Sequence, residues 1–216
     1  MIEKALKRQS DWKNKLFYLK SEVLYQLTVV FCDRFLPRYG DRTVDQMVQA
    51  ARSGKQNIVE GLGDGVASTE MQLKLLNVAR SSLLELREDY RDYAIAHNIK
   101  LWNDSHPRYG AMVEYCRSHK TLDDYSSFFA RWSSEEMVNS AVTLCHMTDA
   151  LMNRYIKTLD EAFVKEGGIK ERMYAARTGY RKQQDERLHF LEQENVQLRE
   201  EISRLKRLLV DNGIVY

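Results

Sequence analysis

Five histidines, three cysteines and two glycine-bearing loops or turns are the residues whose types could do chemistry in this chain. Gly61, Gly63 and Gly65 have the spacing of a dinucleotide-binding loop. That fingerprint requires a strand before it and a helix closing a βαβ unit, whereas both flanking segments here read as helix. Ser53-Gly54-Lys55 has the tail of a phosphate-binding loop, but Gln49 stands in place of the upstream glycine and Gln56 in place of the magnesium-holding hydroxyl. The histidines form neither an i, i+4 pair around a glutamate nor a partnership with a Cys-x-x-Cys, so no zinc site is expected. Cys145 and His146 are adjacent, which on a helix points them about 100° apart, too far for a nucleophile and its base. The carboxylates lie interleaved with Lys and Arg, the pattern of solvated faces. The expectation is a protein without catalytic residues, metal or cofactor: not an enzyme.

Other residues suggest holding rather than reacting. Asn57 and Glu60 fall among the apolar Ile58, Val59 and Leu62 near the end of a helix. A buried amide and carboxylate there need partners, and Arg80 or Arg87 of the next helix can supply them, pinning the helix pair. Residues 1–20 carry Lys4, Lys7, Arg8, Lys13, Lys15 and Lys20 against Glu3 and Asp11 alone. Residues 170–182 carry Lys170, Arg172, Arg177, Arg181 and Lys182 against Glu171, with Tyr174 and Tyr180 interleaved. Either cluster could track phosphates, and either could equally be a solvated face. The second resembles the basic region of a zipper transcription factor, with Arg181 ten residues before Leu191. Met173 in the place of the base-reading asparagine, and Gly179 within the helix, argue against base readout.

That basic stretch leads into a heptad repeat. Leu188, Leu191, Asn195, Leu198, Ile202, Leu205 and Leu209 step alternately by 3 and 4, the a/d spacing of a coiled coil. Asn195 takes an a position, where a buried amide costs stability and fixes register and partner number. With Arg187, Glu194 and Glu201 at g, and Glu192, Arg199 and Lys206 at e, every parallel g-to-e′ contact pairs opposite signs. An antiparallel pairing sets Glu194 against Glu194′ and Arg199 against Arg199′. The expectation is a parallel homo-oligomer over residues 181–212; a lone amphipathic helix folded onto its own domain is the alternative.

The elements that position these residues all read as helices. A first is expected over Ser21–Leu36, capped by Ser21, with Leu24, Leu27, Phe31 and Phe35 inward and Pro37 ending it. The turn 37–41 leads to a second over Thr43–Leu62, where small Ala50 and Gly54 let a neighbour approach closely. Ser68 or Thr69 caps a third, running to His97 with Leu76, Ala79, Leu83, Leu86 and Tyr90 at 3/4 spacing. Residues 98–132 hold two short helical patterns, Ala111–Arg117 and Leu122–Arg131, and are expected to cover one end of the bundle as an insertion. Ser133 with Glu136 makes a capping box for a fourth long helix, whose stripe runs from Met137 to Leu159 and which Gly167-Gly168 stop. No sustained period-2 alternation occurs. The predicted fold is all-α: an antiparallel four-helix bundle (residues 21–166, insertion 98–132) after a basic N-terminal segment 1–20, with a basic suffix or linker 167–180 and a C-terminal coiled-coil helix.

Composition agrees with a folded helical chain. Among 216 residues only two are proline and ten glycine, with 44% hydrophobic and 30% charged. The formal charge of +2 is near balance, so attraction to nucleic acid must come from local clusters. No apolar run approaches a membrane span and no signal-peptide core opens the chain, so a cytoplasmic, membrane-free location is expected. Cys32, Cys116 and Cys145, odd in number and set among apolar helical positions, read as core thiols rather than a disulfide framework.

Two stretches also carry a family likeness. One is Phe35-Leu36-Pro37, Asp45 to Ser53 (DQMVQAARS) and Asn57-Ile58-Val59-Glu60-Gly61; the other is Ser68-Thr69-Glu70 with Leu76 to Leu86 (LNVARSSLLEL). Together they resemble the four-helix bundle proteins encoded in intervening sequences of 23S ribosomal RNA genes, which include accessory variability proteins of diversity-generating retroelements. The likeness covers residues 24–96, with 134–165 matching in pattern, and the segment from Glu166 to Arg172 onward resembles a suffix found on a subset of that family. It implies a small bacterial up-down bundle that assembles, as a ring of five in family members, and a role beside a reverse transcriptase, with no catalytic residues to carry over.

The expected function is therefore a self-assembling helical scaffold that holds RNA or DNA, or a reverse transcriptase, on its basic residues. The alternative is a protein-interaction scaffold that recruits a foreign coiled-coil partner without nucleic acid.

Overall fold

The computed structural model describes residues 12–37, 42–63 and 68–211, apart from the side chains of residues 166, 169, 170, 172 and 210. Among these residues the chain is all-α, with seven helices, a 3-10 turn over Trp12–Asn14 and no strand. Lys4, Lys7, Arg8, Gly65 and most of the turn 37–41 lie outside the described residues.

Helix α1 (Leu16–Phe35) starts a turn earlier than the sequence suggests. Ser21 does not cap it; buried inside it, the Ser21 hydroxyl donates to the Tyr18 carbonyl at 2.6 Å. Tertiary packing overrides the cap signal here, because Phe17 is buried and packs on Tyr155 with ring centroids 5.4 Å apart. The other end behaves locally: Leu36, preceding Pro37, turns extended at φ −112°, ψ 152°.

Helix α2 (Arg42–Leu62) lies against α3 (Thr69–Ala96) across its small residues. A Cβ placed on Gly54 would stand 2.6 Å from Leu83 Cδ2, so only glycine allows this approach. Ser68 caps α3, its Oγ accepting from the Met71 N–H at 3.1 Å. Asn98, at φ 54°, ends it in a left-handed turn. There the N–H of Ile99 reaches back to the Ala94 carbonyl at 2.8 Å and that of Asn98 to Ile95 at 3.3 Å, the two bonds of a Schellman motif.

Residues 98–132 are packed in, not projecting. They form α4 (Tyr109–Ser118), which touches α6, and α5 (Leu122–Phe129), which touches α1. Thr121 and Asp124 close a capping box on α5. Helix α6 (Ser134–Glu166) begins with the expected Ser133–Glu136 box and ends at Gly167, whose φ of 73° suits glycine. One core joins α1, α2, α3 and α6, with α1 beside α2 and α6, and α3 beside α2 and α6. At its centre a buried polar chain is satisfied internally: Tyr90 OH donates to Thr28 Oγ1 at 3.0 Å, which donates to the Leu24 carbonyl at 2.7 Å.

The contacts divide the chain after Gly168, so α1 to α6 form one compact unit and α7 (Ile169–Asp211) belongs to another. Helix α7 is continuous through Gly179, so residues 169–180, assigned above to a suffix or linker, are helical too.

Candidate functional site

The heptad residues lie on 43 residues of uninterrupted helix, roughly 65 Å at 1.5 Å per residue. Leu188, Leu191, Leu198, Ile202 and Leu205 are between 43% and 57% exposed, while the leucines of the core are at or near 0%. Leu209 is half-buried and Asn195 exposed. The a/d stripe of α7 is thus exposed along its own helix. Arg187, Glu192, Glu194 and Arg199 beside it are exposed as well. Phe190 and Val196, outside the a/d stripe, are also exposed, at 61% and 56%.

The basic residues fall into different circumstances. Lys13 is exposed, its Nζ 5.9 Å from the Trp12 ring. Lys15 is half-buried with its Nζ 4.8 Å over Tyr155, so part of its charge already faces a ring. Lys20, counted above in the N-terminal cluster, is 3% exposed and faces no solvent partner. Its ammonium donates to the carbonyl of Cys116 and, at 3.4 Å, to that of His119. It thus caps the last turn of α4 and fastens the insertion to α1. On α7, Arg177, Arg181 and Lys182 are exposed, with Lys182 4.0 Å from Glu186. Lys170 and Arg172 are helical, on the same helix.

The polar group near the end of α2 is arranged differently from the sequence expectation. Asn57 Nδ2 donates within its own helix, to the Ser53 carbonyl at 2.9 Å and Ser53 Oγ at 3.2 Å. The link to α3 is the Ser53–Ser82 hydroxyl pair, 3.0 Å apart. Glu60 is exposed rather than buried. Arg80 turns to the other neighbour, its Nε donating to Asp149 Oδ1 at 2.8 Å, and so ties α3 to α6. Asp149 is 69 residues away in sequence, which is why local spacing favoured Asn57 and Glu60 instead.

Cys145 and His146 diverge as helical geometry requires. Burial pushes the Cys145 thiol up to about 12, so it stays neutral. His146 faces outward, with Nδ1 3.4 Å from Arg87 Nη1; the guanidinium donates, so Nδ1 is unprotonated. Partial burial, followed by the charges of Arg87 and Arg91, holds its pKa below the ordinary histidine value. Among the described residues no group of three or more His, Cys, Asp or Glu is placed to hold a metal ion, and no helix is long and apolar enough to cross a membrane.

One site escaped the sequence reading. The residues around 98–108, α4, α5 and α6 line a cavity of about 250 Å³ that is open to solvent on one side, walled mainly by Trp102, Met112, Tyr115, Cys116, Phe128 and Trp132. Its rings are fixed in advance. Trp102 Nε1 donates to Glu135 at 2.7 Å, and its ring stacks on His106; Tyr115 stacks on His119, and Phe128 on Trp132. At the rim Arg108 Nη1 donates to Glu136 Oε1 at 2.6 Å, its guanidinium 4.6 Å over the Trp102 ring. Burial alone would raise the Glu136 carboxyl, but the Ser133 amide and hydroxyl and Arg108 outweigh it and hold the group low. The available signal was aromatic density: 98–132 holds seven aromatic residues in 35, double the 10% of the whole chain. No family model, curated protein or solved structure matches the chain.

Proposed function

We propose that this chain is a non-enzymatic assembly protein. Helices α1, α2, α3 and α6 form an antiparallel four-helix bundle, α7 adds a parallel coiled-coil contact between copies, and the assembly holds nucleic acid, or a reverse transcriptase, in the cytoplasm. The observation that carries this is the exposed heptad stripe of α7: an apolar seam flanked by complementary e and g charges.

The bundle reading rests on how contacts run. Phe17 meets Tyr155 while Arg34 meets Met137, and Arg80 meets Asp149 while Arg87 meets His146. In each set one number climbs as the other falls. The likeness to proteins of ribosomal RNA intervening sequences and retroelements points the same way.

Carried upstream, the heptad places Lys170, Tyr174, Arg177, Arg181 and Gln184 at a and d. Like charges facing each other across a seam repel, so the coiled coil expected over 181–212 closes from Leu188 onward, short of its expected start, and the two basic stretches before it diverge. Divergent cationic helices suit a phosphate backbone, each contact weak and the linked copies adding avidity.

Light scattering of the full chain beside a version ending at Gly168 tests the assembly. The full chain is expected as a multiple of the monomer mass, and the shortened one at a lower multiple; a monomeric full chain overturns the proposal. RNA and DNA retention at low salt tests the partner. It is expected to fall with added salt and with neutralisation of Lys170, Arg172, Arg177 and Arg181, and its absence removes the nucleic-acid part.

The exposed Phe190 and Val196, off the a/d stripe, favour a second reading in which α7 recruits a foreign helix that covers a wider face. An isolated 180–216 peptide that stays monomeric alone and pairs only with another chain selects that version.

A further inference from the structure

The insertion cavity has a feature that packing alone leaves unexplained. Ser140 lines it, is 3% exposed, and its hydroxyl has no hydrogen-bond partner among the described residues. A serine inside a helix ordinarily donates to the carbonyl four residues back, as Ser203 does to Arg199 at 2.8 Å. A buried hydroxyl left unpaired in an aromatic-walled space is costly unless something else completes it.

The rim has the complementary property. Both Glu136 oxygens are occupied, Oε1 by Arg108 and Oε2 by the Ser133 amide and hydroxyl. Arg108 has only one of its five donors on Glu136, and its side chain is 56% exposed. The rim thus offers the spare N–H donors of Arg108, while three of the acceptor sites of Glu136 are already taken. Between rim and hydroxyl lie rings whose planes are already set by stacking, so a flat guest orders nothing on entry. A dry cavity of about 150 Å³ takes benzene. The 250 Å³ here leaves room for one ring with a substituent at each end.

We propose that this cavity binds a one-ring aromatic acid. The ring lies among Trp102, Tyr115, Phe128 and Trp132, a ring hydroxyl meets Ser140 Oγ, and the carboxylate takes the spare donors of Arg108. This site is independent of the assembly proposed above.

Titration of the full chain with 4-hydroxybenzoate, followed by calorimetry and by the fluorescence of Trp102 and Trp132, tests it. Saturable binding of one acid per chain is expected, with a change in tryptophan emission. Arg108→Gln weakens it roughly 10- to 100-fold, the worth of a charge-assisted hydrogen bond. Ser140→Ala weakens 4-hydroxybenzoate while leaving benzoate unchanged. Ala111→Trp, at an exposed position on the cavity's lining, fills the space and abolishes binding while keeping the helical spectrum and melting curve. The proposal is overturned if no saturable binding occurs at millimolar acid, if phenol binds as tightly as the acid, or if the folded Ala111→Trp protein binds as well as the parent.

Discussion

An ammonium group withdrawn from water must recover its hydration from the protein, and Lys20 does so with helix-end carbonyls rather than a counter-ion. Burial, the largest influence, lowers its pKa, while the last turn of α4 supplies acceptors for its protons. Replacing it with Met keeps the stem and removes the donors, leaving the buried Cys116 carbonyl unmet while that of His119 keeps the Tyr125 hydroxyl at 3.3 Å. Lys20→Met is expected to cost roughly 1–3 kcal/mol in urea unfolding, most of it at the insertion. His146 sets a second expectation. Its folded pKa lies below 6.5, so the unfolded chain binds the extra proton more readily. Stability from this residue is undiminished above the unfolded value and falls as pH drops from about 6.5 through the folded pKa. The urea midpoint should decline between neutral and mildly acid pH, and decline less in His146→Gln; equal declines would discount the residue.

At the scale of the element, glycine has opposite effects in two helices. Gly54 sits where a Cβ would run into buried Leu83, whereas around Gly179 nothing lies within 4 Å. Gly54→Val is expected to destabilise by roughly 2–3 kcal/mol through overpacking. Gly179→Ala should stabilise α7 by up to about 1 kcal/mol through helix propensity alone. Thermal melts of the two variants measure both signs. If the proposed zipper forms, Asn195→Val raises the melting temperature and broadens the distribution of oligomer masses. An unchanged melt with a single unchanged mass would place residue 195 outside a buried seam.

How much of this could be read from the chain follows the range of each interaction. The ends of helices are set by residues a few places apart, and these were legible: Leu36 before Pro37, Ser68 over Met71, Ser133 with Glu136, and Gly167. Long-range contacts were not. Nothing near Ser21 announces that Phe17 will meet Tyr155, and nothing near Arg80 names Asp149. The cavity is the extreme case, since its lining comes from four segments whose meeting is a tertiary event. The α7 stripe was legible because a heptad is local.

At the scale of the molecule, the three cysteines are buried in separate places: Cys32 in α1, Cys116 in α4 and Cys145 in α6. Each thiol is buried, Cys32 and Cys145 in the core and Cys116 at the wall of the aromatic cavity, so alkylation becomes a set of three clocks. If the insertion breathes on its own, Cys116 is modified well ahead of Cys145, and Lys20→Met shortens its time alone. If the protein opens only as a whole, the three run together, and peptide mapping after timed quenching distinguishes these schedules.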